Sequence, residues 1–170
     1  MKAKLVAFVV LMGALGNVLA LFSIPVPSPL PYPRIELCFS SFATLLAAIG
    51  VGPAIGAIVG ALGTILTTIR IGNPFIPVGH LILGYAAGLA ARKFRPVVAG
   101  LLGEVAESPW IWFSVVFWAH LVAGVPLEIL VPIIALINVK AFLDVFVSSL
   151  VVELLLSRRE IRDLLASLRP

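Results

Sequence analysis

Apolar residues run through this chain in long unbroken blocks, with neither the two-residue alternation of a half-buried strand nor a polar face at helical spacing. A helix that is apolar all round offers water nothing, so it belongs in a bilayer or a deep core. The blocks span about 3–23, 35–49, 51–69, 76–91, 97–122 and 126–157, and each ends where a helix cannot comfortably continue. Between the first two, Ser23 to Arg34 carries Pro25, Pro27, Pro29, Pro31 and Pro33. Proline at every second position predicts an extended, polyproline-like loop. A tight turn at Gly50 to Pro53 divides the second block from the third, and Gly72-Asn73-Pro74 divides the third from the fourth. The charged turn ARKFRP precedes the fifth. The last block passes Leu156 into SRREIRDLLASLRP, a tail over 158–170 whose alternating charges predict an extension of the final helix into the cytosol.

Composition turns this pattern into a class. Of 170 residues, 61% are apolar and 12% charged, against roughly 45–50% and 25% in soluble domains. The expectation is an all-α integral membrane protein, one domain over 1–170, crossing the bilayer six times. A lone Cys38 excludes a disulfide framework, a CxxC pair and a Cys-rich metal site. The first block resembles a signal peptide, but SIPVPSPLPYP follows it without a small-residue cleavage site, so it counts as a span. The net charge of +4 sits at the ends of apolar runs, which argues for topology and against nucleic acid. With the N-terminus inside, Lys2, Lys4, Arg92, Lys93, Arg95, Arg158, Arg159, Arg162 and Arg169 fall on the inner side and only Arg34 and Arg70 on the outer. Cytoplasmic loops carry the excess of Lys and Arg, so both termini are expected in the cytoplasm.

A charge at bilayer depth costs about 2.5–3.5 kcal/mol, so polar residues inside these blocks need a partner or a function. In the inside-N orientation His80, His120 and Glu128 lie towards the outer face, with Asn138 deeper. An imidazole and an amide both donate and accept, which suits a heteroaromatic ligand, and Trp110, Trp112 and Trp118 can stack on such a ring. The competing account makes Trp and His markers of the membrane interface. Glu104 and Glu107 share one face of the fifth span nearer the inner side, where Lys140 is the simplest partner. Lys140 and Asp144 form an i, i+4 pair lying about 200° around the helix from Asn138. His80, His120 and Glu128 lack local metal-site spacing, so no metal is expected.

Gly52, Gly56 and Gly60 recur at four-residue intervals, a strip on which another helix can approach closely. On its own such a strip means helix packing. Its order with the neighbouring features is more specific. A proline-bearing outer loop, a charged residue entering a short second helix, a Gly-Pro turn and a glycine-rich third helix together resemble the S-components of energy-coupling factor transporters. NPFIPVGHLILGYAAGLAAR, Asn73 to Arg92, is similar to the fourth helix of that family. HLVAG, His120 to Gly124, is similar to a segment that closes the fifth helix in vitamin-specific members, and Asn138 falls where thiamine-type members carry a binding asparagine. His80 stands where those members carry an acidic residue.

The resemblance implies a non-enzymatic substrate-binding subunit in the cell membrane, without cofactor. It would capture a small water-soluble vitamin or related micronutrient, thiamine or a precursor being the first candidate. Depth and side-chain chemistry make His80, His120, Glu128, Asn138, Trp112 and Trp118 the expected site, the resemblance itself landing on His120 and Asn138. The resemblance also implies partnership with a transmembrane coupling protein and two ATPase subunits. The chain has no GxxxxGK[ST] loop, so uphill transport would draw on a partner's ATP hydrolysis. By the same resemblance, Gly13, Gly16, Asn17 and Ala20 of the first span form the docking patch. Two other readings stay open: an intramembrane enzyme using His and Glu for acid-base chemistry, and a stand-alone facilitator or structural subunit.

Overall fold

Glycine and proline cut the apolar blocks into helices where backbone geometry demands it. The structure, a computed structural model, describes residues 3–26 and 35–169. Lys2, Arg34 and most of the proline-bearing loop lie outside the described residues. Helix α1 covers Ala3–Leu21. Short strands β1 (Ile24–Val26) and β2 (Ile35–Leu37) then pair antiparallel, Ile24 opposite Leu37. The expected second helix therefore starts late: α2 spans Ser41–Gly50. A short apolar run satisfies strand and helix patterns equally, and pairing across the loop decided this one.

The Gly-Pro turn forms as expected. Gly52 takes φ 151° and Pro53 opens α3 (Pro53–Gly63) in the first helical turn, where its missing N–H costs nothing. The third block is not one helix, because it breaks at Thr64 before α4 (Ile65–Ile71). Thr64 Oγ1 donates back to the Gly60 carbonyl at 2.9 Å, a bond that competes with the helical ladder. In an unbroken helix the Leu66 N–H would meet the Leu62 carbonyl. Instead Asn17 of α1 takes both: its Nδ2 donates to Leu62 O at 2.8 Å and its Oδ1 accepts from Leu66 N at 2.7 Å. Gly72, at φ 75°, closes α4 with its N–H on Thr68 O.

The fourth block is α5 (Ile76–Ala90) and the fifth is α6 (Pro96–Val115), which runs through Pro109 and widens into a π-helical segment over Val116–Val122. Helix α7 (Leu127–Ser157) is the longest element. At Arg158 the backbone turns extended, with φ −78° and ψ 120°, and α8 (Arg159–Ala166) begins. The tail thus does not prolong the last helix. It folds back so that Leu165 packs among Leu5, Val9, Ala47 and Val51, and Arg169 Nε donates to Gly50 O at 3.2 Å.

Close approaches explain the glycine strip. A methyl group on Gly56 would run into Ala48 of α2, and one on Gly60 into the backbone of His80. On α5, Gly84 lies against the Gly56 backbone and Gly88 against Pro53. Helix α3 is therefore clasped between α2 and α5, and packing supplies the cohesion that hydrophobicity cannot supply in lipid. Large apolar side chains such as Val10, Leu11, Ile69, Val105, Leu143 and Leu154 point outward. The segments Ala3–Leu21, Pro53–Ile71, Pro96–Val122 and Leu127–Ser157 are long and apolar enough to cross a bilayer, while α2 and α5 are shorter apolar helices. This is a multi-pass membrane protein.

Candidate functional site

Two helix faces carry polar side chains into one largely apolar cavity. On α6 and its π-helical continuation, Glu104, Glu107, Ile111, Ser114 and Trp118 recur at alternating three- and four-residue steps and form a single stripe. On α7, Ile137, Lys140 and Asp144 step by three and then four in the same way, with Ala141 beside them. Helix α5 contributes His80, and Ser41 enters from the first turn of α2. Between them lies a cavity of ≈ 140 Å³. One water needs about 10–15 Å³ on a comparable measure, so a small organic molecule has room.

Asp144 is the best-anchored group. Its Oδ1 accepts from Ser41 Oγ at 2.8 Å, with Ser148 Oγ 3.3 Å away, and its Oδ2 lies 3.8 Å from Lys140 Nζ. His80 Nδ1 sits 3.3 Å from Glu107 Oε1, close enough for attraction yet not aligned as a hydrogen bond, and the nitrogen has no hydrogen-bond partner. Glu107 reaches this place because Gly79 leaves space, since a methyl group there would touch its Oε1. Glu104 is 1% exposed and its Oε1 is likewise unpartnered.

An aromatic cluster borders the cavity, which Trp110 and Trp118 line. Phe75 meets Phe117 edge-on at 5.5 Å, Trp110 tilts against Phe113 at 5.1 Å, and Trp118 lies 6.4 Å from Phe75. Trp110 is oriented by its Nε1, which donates to Phe75 O at 3.0 Å. Phe75 is itself held by an Asn73 turn, Phe75 N donating to Asn73 Oδ1 at 3.0 Å.

Of the expected site residues, His80 and Trp118 line this cavity, whereas His120, Glu128, Asn138 and Trp112 do not. His120 Nδ1 donates to the Val125 carbonyl at 2.8 Å, while Gly124 takes φ 71° with its N–H on His120 O. HLVAG is thus a helix terminator in which the histidine fastens the turn. Asn138 Nδ2 donates to Ile134 O, one turn back on its own helix, at 2.9 Å. Glu128 and Trp112 are exposed. The residues of the expected docking patch face the interior of the bundle. Gly13, Gly16 and Ala20 are buried, Gly16 lying against Gly63, and half-buried Asn17 spans the α3–α4 break.

Glu104, Glu107, Lys140 and Asp144, which their spacing pairs across helices, line the cavity, together with Ser41 and Asn73, which nothing in the sequence singles out as site residues. A legible signal existed. Glu104 and Glu107 share the three-four stripe of Trp118, and Trp112 does not.

No family model matches the chain, and no curated protein does. Among solved structures, the S component of a bacterial energy-coupling factor transporter superposes with a TM-score of 0.58 at 20% identity, over 96% of this chain and 99% of that one. The fold is that of an S component. At this identity the likeness speaks for architecture, and near-complete coverage of both chains makes it the whole architecture. In this S-component fold, the cavity lies among α2, α5, α6 and α7.

Proposed function

We propose that the chain is the substrate-binding subunit of an energy-coupling factor importer in the cell membrane. It captures a small water-soluble vitamin or related micronutrient from outside and passes it inward with a coupling protein and two ATPase subunits. The observation that carries this reading is the cavity. Ionisable side chains converge on enclosed space in a bundle otherwise clad in apolar residues, and intramembrane ionisable groups mark ligand paths by default. The Lys and Arg distribution supports the orientation. Arg92, Lys93, Arg95, Arg158, Arg159 and Arg162 gather at the end away from the aromatic rings, which by the positive-inside rule favours a cavity in the outer half of the membrane.

The test is to purify the protein from vitamin-rich medium and identify retained small molecules by mass spectrometry, then titrate a vitamin panel into the stripped protein. A stoichiometric ligand, displaced by its own kind, is expected. A protein that emerges empty and binds nothing on the panel is no capture subunit. Thiamine or a precursor heads the panel, since its aminopyrimidine edge suits the polar groups and its rings suit Trp110 and Trp118.

A further inference from the structure

Glu104 lines the cavity with an Oε1 that has no hydrogen-bond partner among the described residues. The Lys140 ammonium stands by Asp144, which Ser41 also holds, and the His80 imidazole stands by Glu107. Glu104 is in no such close contact, although the residue is 1% exposed and lines the chamber, and Lys140 attracts it only at longer range. The lining holds three carboxyl side chains, Glu104, Glu107 and Asp144, against the Lys140 ammonium and the His80 imidazole. In a low-dielectric site a positive guest favours the charged form of a carboxyl group and pairs with it, which a neutral guest cannot do. The walls add a second, independent preference. Trp110 and Trp118 border the same space, and an indole face attracts a cation placed over it.

We propose that the cavity selects an organic cation, a small amine or charged heteroaromatic ring, whose positive charge is met by Glu104 while its apolar body rests against the indoles. This rests on the capture reading above and narrows its substrate class. A bare metal ion fits poorly, because among the described residues no three His, Cys, Asp or Glu side chains gather as ligands.

The experiment is calorimetric titration of the ligand-stripped, detergent-purified full chain with pairs that differ mainly in charge: thiamine and neutral thiochrome, pyridoxamine and pyridoxine, 1-methylnicotinamide and nicotinamide. Magnesium and nickel chloride form a metal arm. In any pair that binds, the cationic member should bind about ten- to a hundredfold tighter, the size of one charge-assisted hydrogen bond. Glu104→Gln, nearly isosteric, should reduce that preference to about equal binding. The comparison within wild-type protein stands even if the variant misfolds. A neutral member that binds as tightly as its cation, or a folded Glu104→Gln that keeps the preference, overturns the inference and leaves the capture reading intact. Heat from the metal salts alone does the same to the organic-cation assignment. If none of the probes binds, the charge of the co-purified molecule decides: a cation supports the inference, and a neutral or anionic molecule refutes it. Retention of no molecule at all removes both readings together.

Discussion

Asn138 and Lys140 are two residues apart on α7, and the helix separates them by about 200°, so a cavity on one side can use only one of them. The structure turns the Lys140 and Asp144 side inward and leaves Asn138 bonded to Ile134 O. The same holds for His120, which is committed to the Val125 carbonyl. Substituting either by Ala should therefore leave ligand affinity within about twofold. His120→Ala should instead lower thermal stability by about 1 kcal/mol, the usual net worth of a hydrogen bond. Titration and melting of the two variants check this, and a many-fold loss of affinity in either would return that residue to the site. The angular separation on α7 was legible in the sequence. Which side faced inward was not, because that depends on what α5 and α6 present. His80 could be placed from depth alone, and Trp118 shares the stripe of Glu104. Hydrogen bonds such as Asn138 to Ile134 O satisfy a polar side chain within its own helix and leave no trace in residue spacing.

At the scale of elements, the break between α3 and α4 depends on a residue in α1. Asn17 meets Leu62 O and Leu66 N, two backbone groups that no water in the bilayer core can satisfy. Asn17→Leu keeps the volume and strands both, at about 1–3 kcal/mol for each buried group. Thermal unfolding in detergent should show a correspondingly large drop, and a melting curve like wild type would mean that the break does not need the amide. Gly16→Leu should be comparably damaging, because even a Cβ there would sit 2.8 Å from Gly63 Cα. The close packing of α1 on α3 was readable as small residues in register, but the partner was not: the same spacing serves an internal neighbour and an external protein. The tail makes a similar point. Its alternating charges fitted a helix continuing outward, yet Leu165 is 4% exposed in a cluster with Leu5 and Val51. Leu165→Ala should cost about 2–5 kcal/mol, as for other buried leucines. It should leave ligand affinity unchanged, since Leu165 lies at the opposite end of the bundle from the cavity.

For the whole molecule, the sidedness of the bundle decides whether the cavity receives a ligand from outside or from the cytoplasm. Ser41, Asn73 and the aromatic rings around Phe75 lie at the end where α1 runs out at Leu21, and the turn at Arg92 to Arg95 lies at the other. Labelling can read this directly, because Cys38 is the chain's single cysteine and is buried. In a Cys38→Ala background, Phe22→Cys marks the cavity end and Lys93→Cys the basic end, at positions that are both exposed. A membrane-impermeant maleimide applied to intact cells should modify Phe22→Cys and reach Lys93→Cys only after permeabilisation. The excess of Lys and Arg at the Lys93 end drives that expectation, since such residues resist translocation across the membrane. Import also requires it, because a site that collects a scarce nutrient must open towards the nutrient. Labelling of Lys93→Cys in intact cells would turn the cavity towards the cytoplasm. The capture reading would then fail on geometry alone, whatever the affinity of the site.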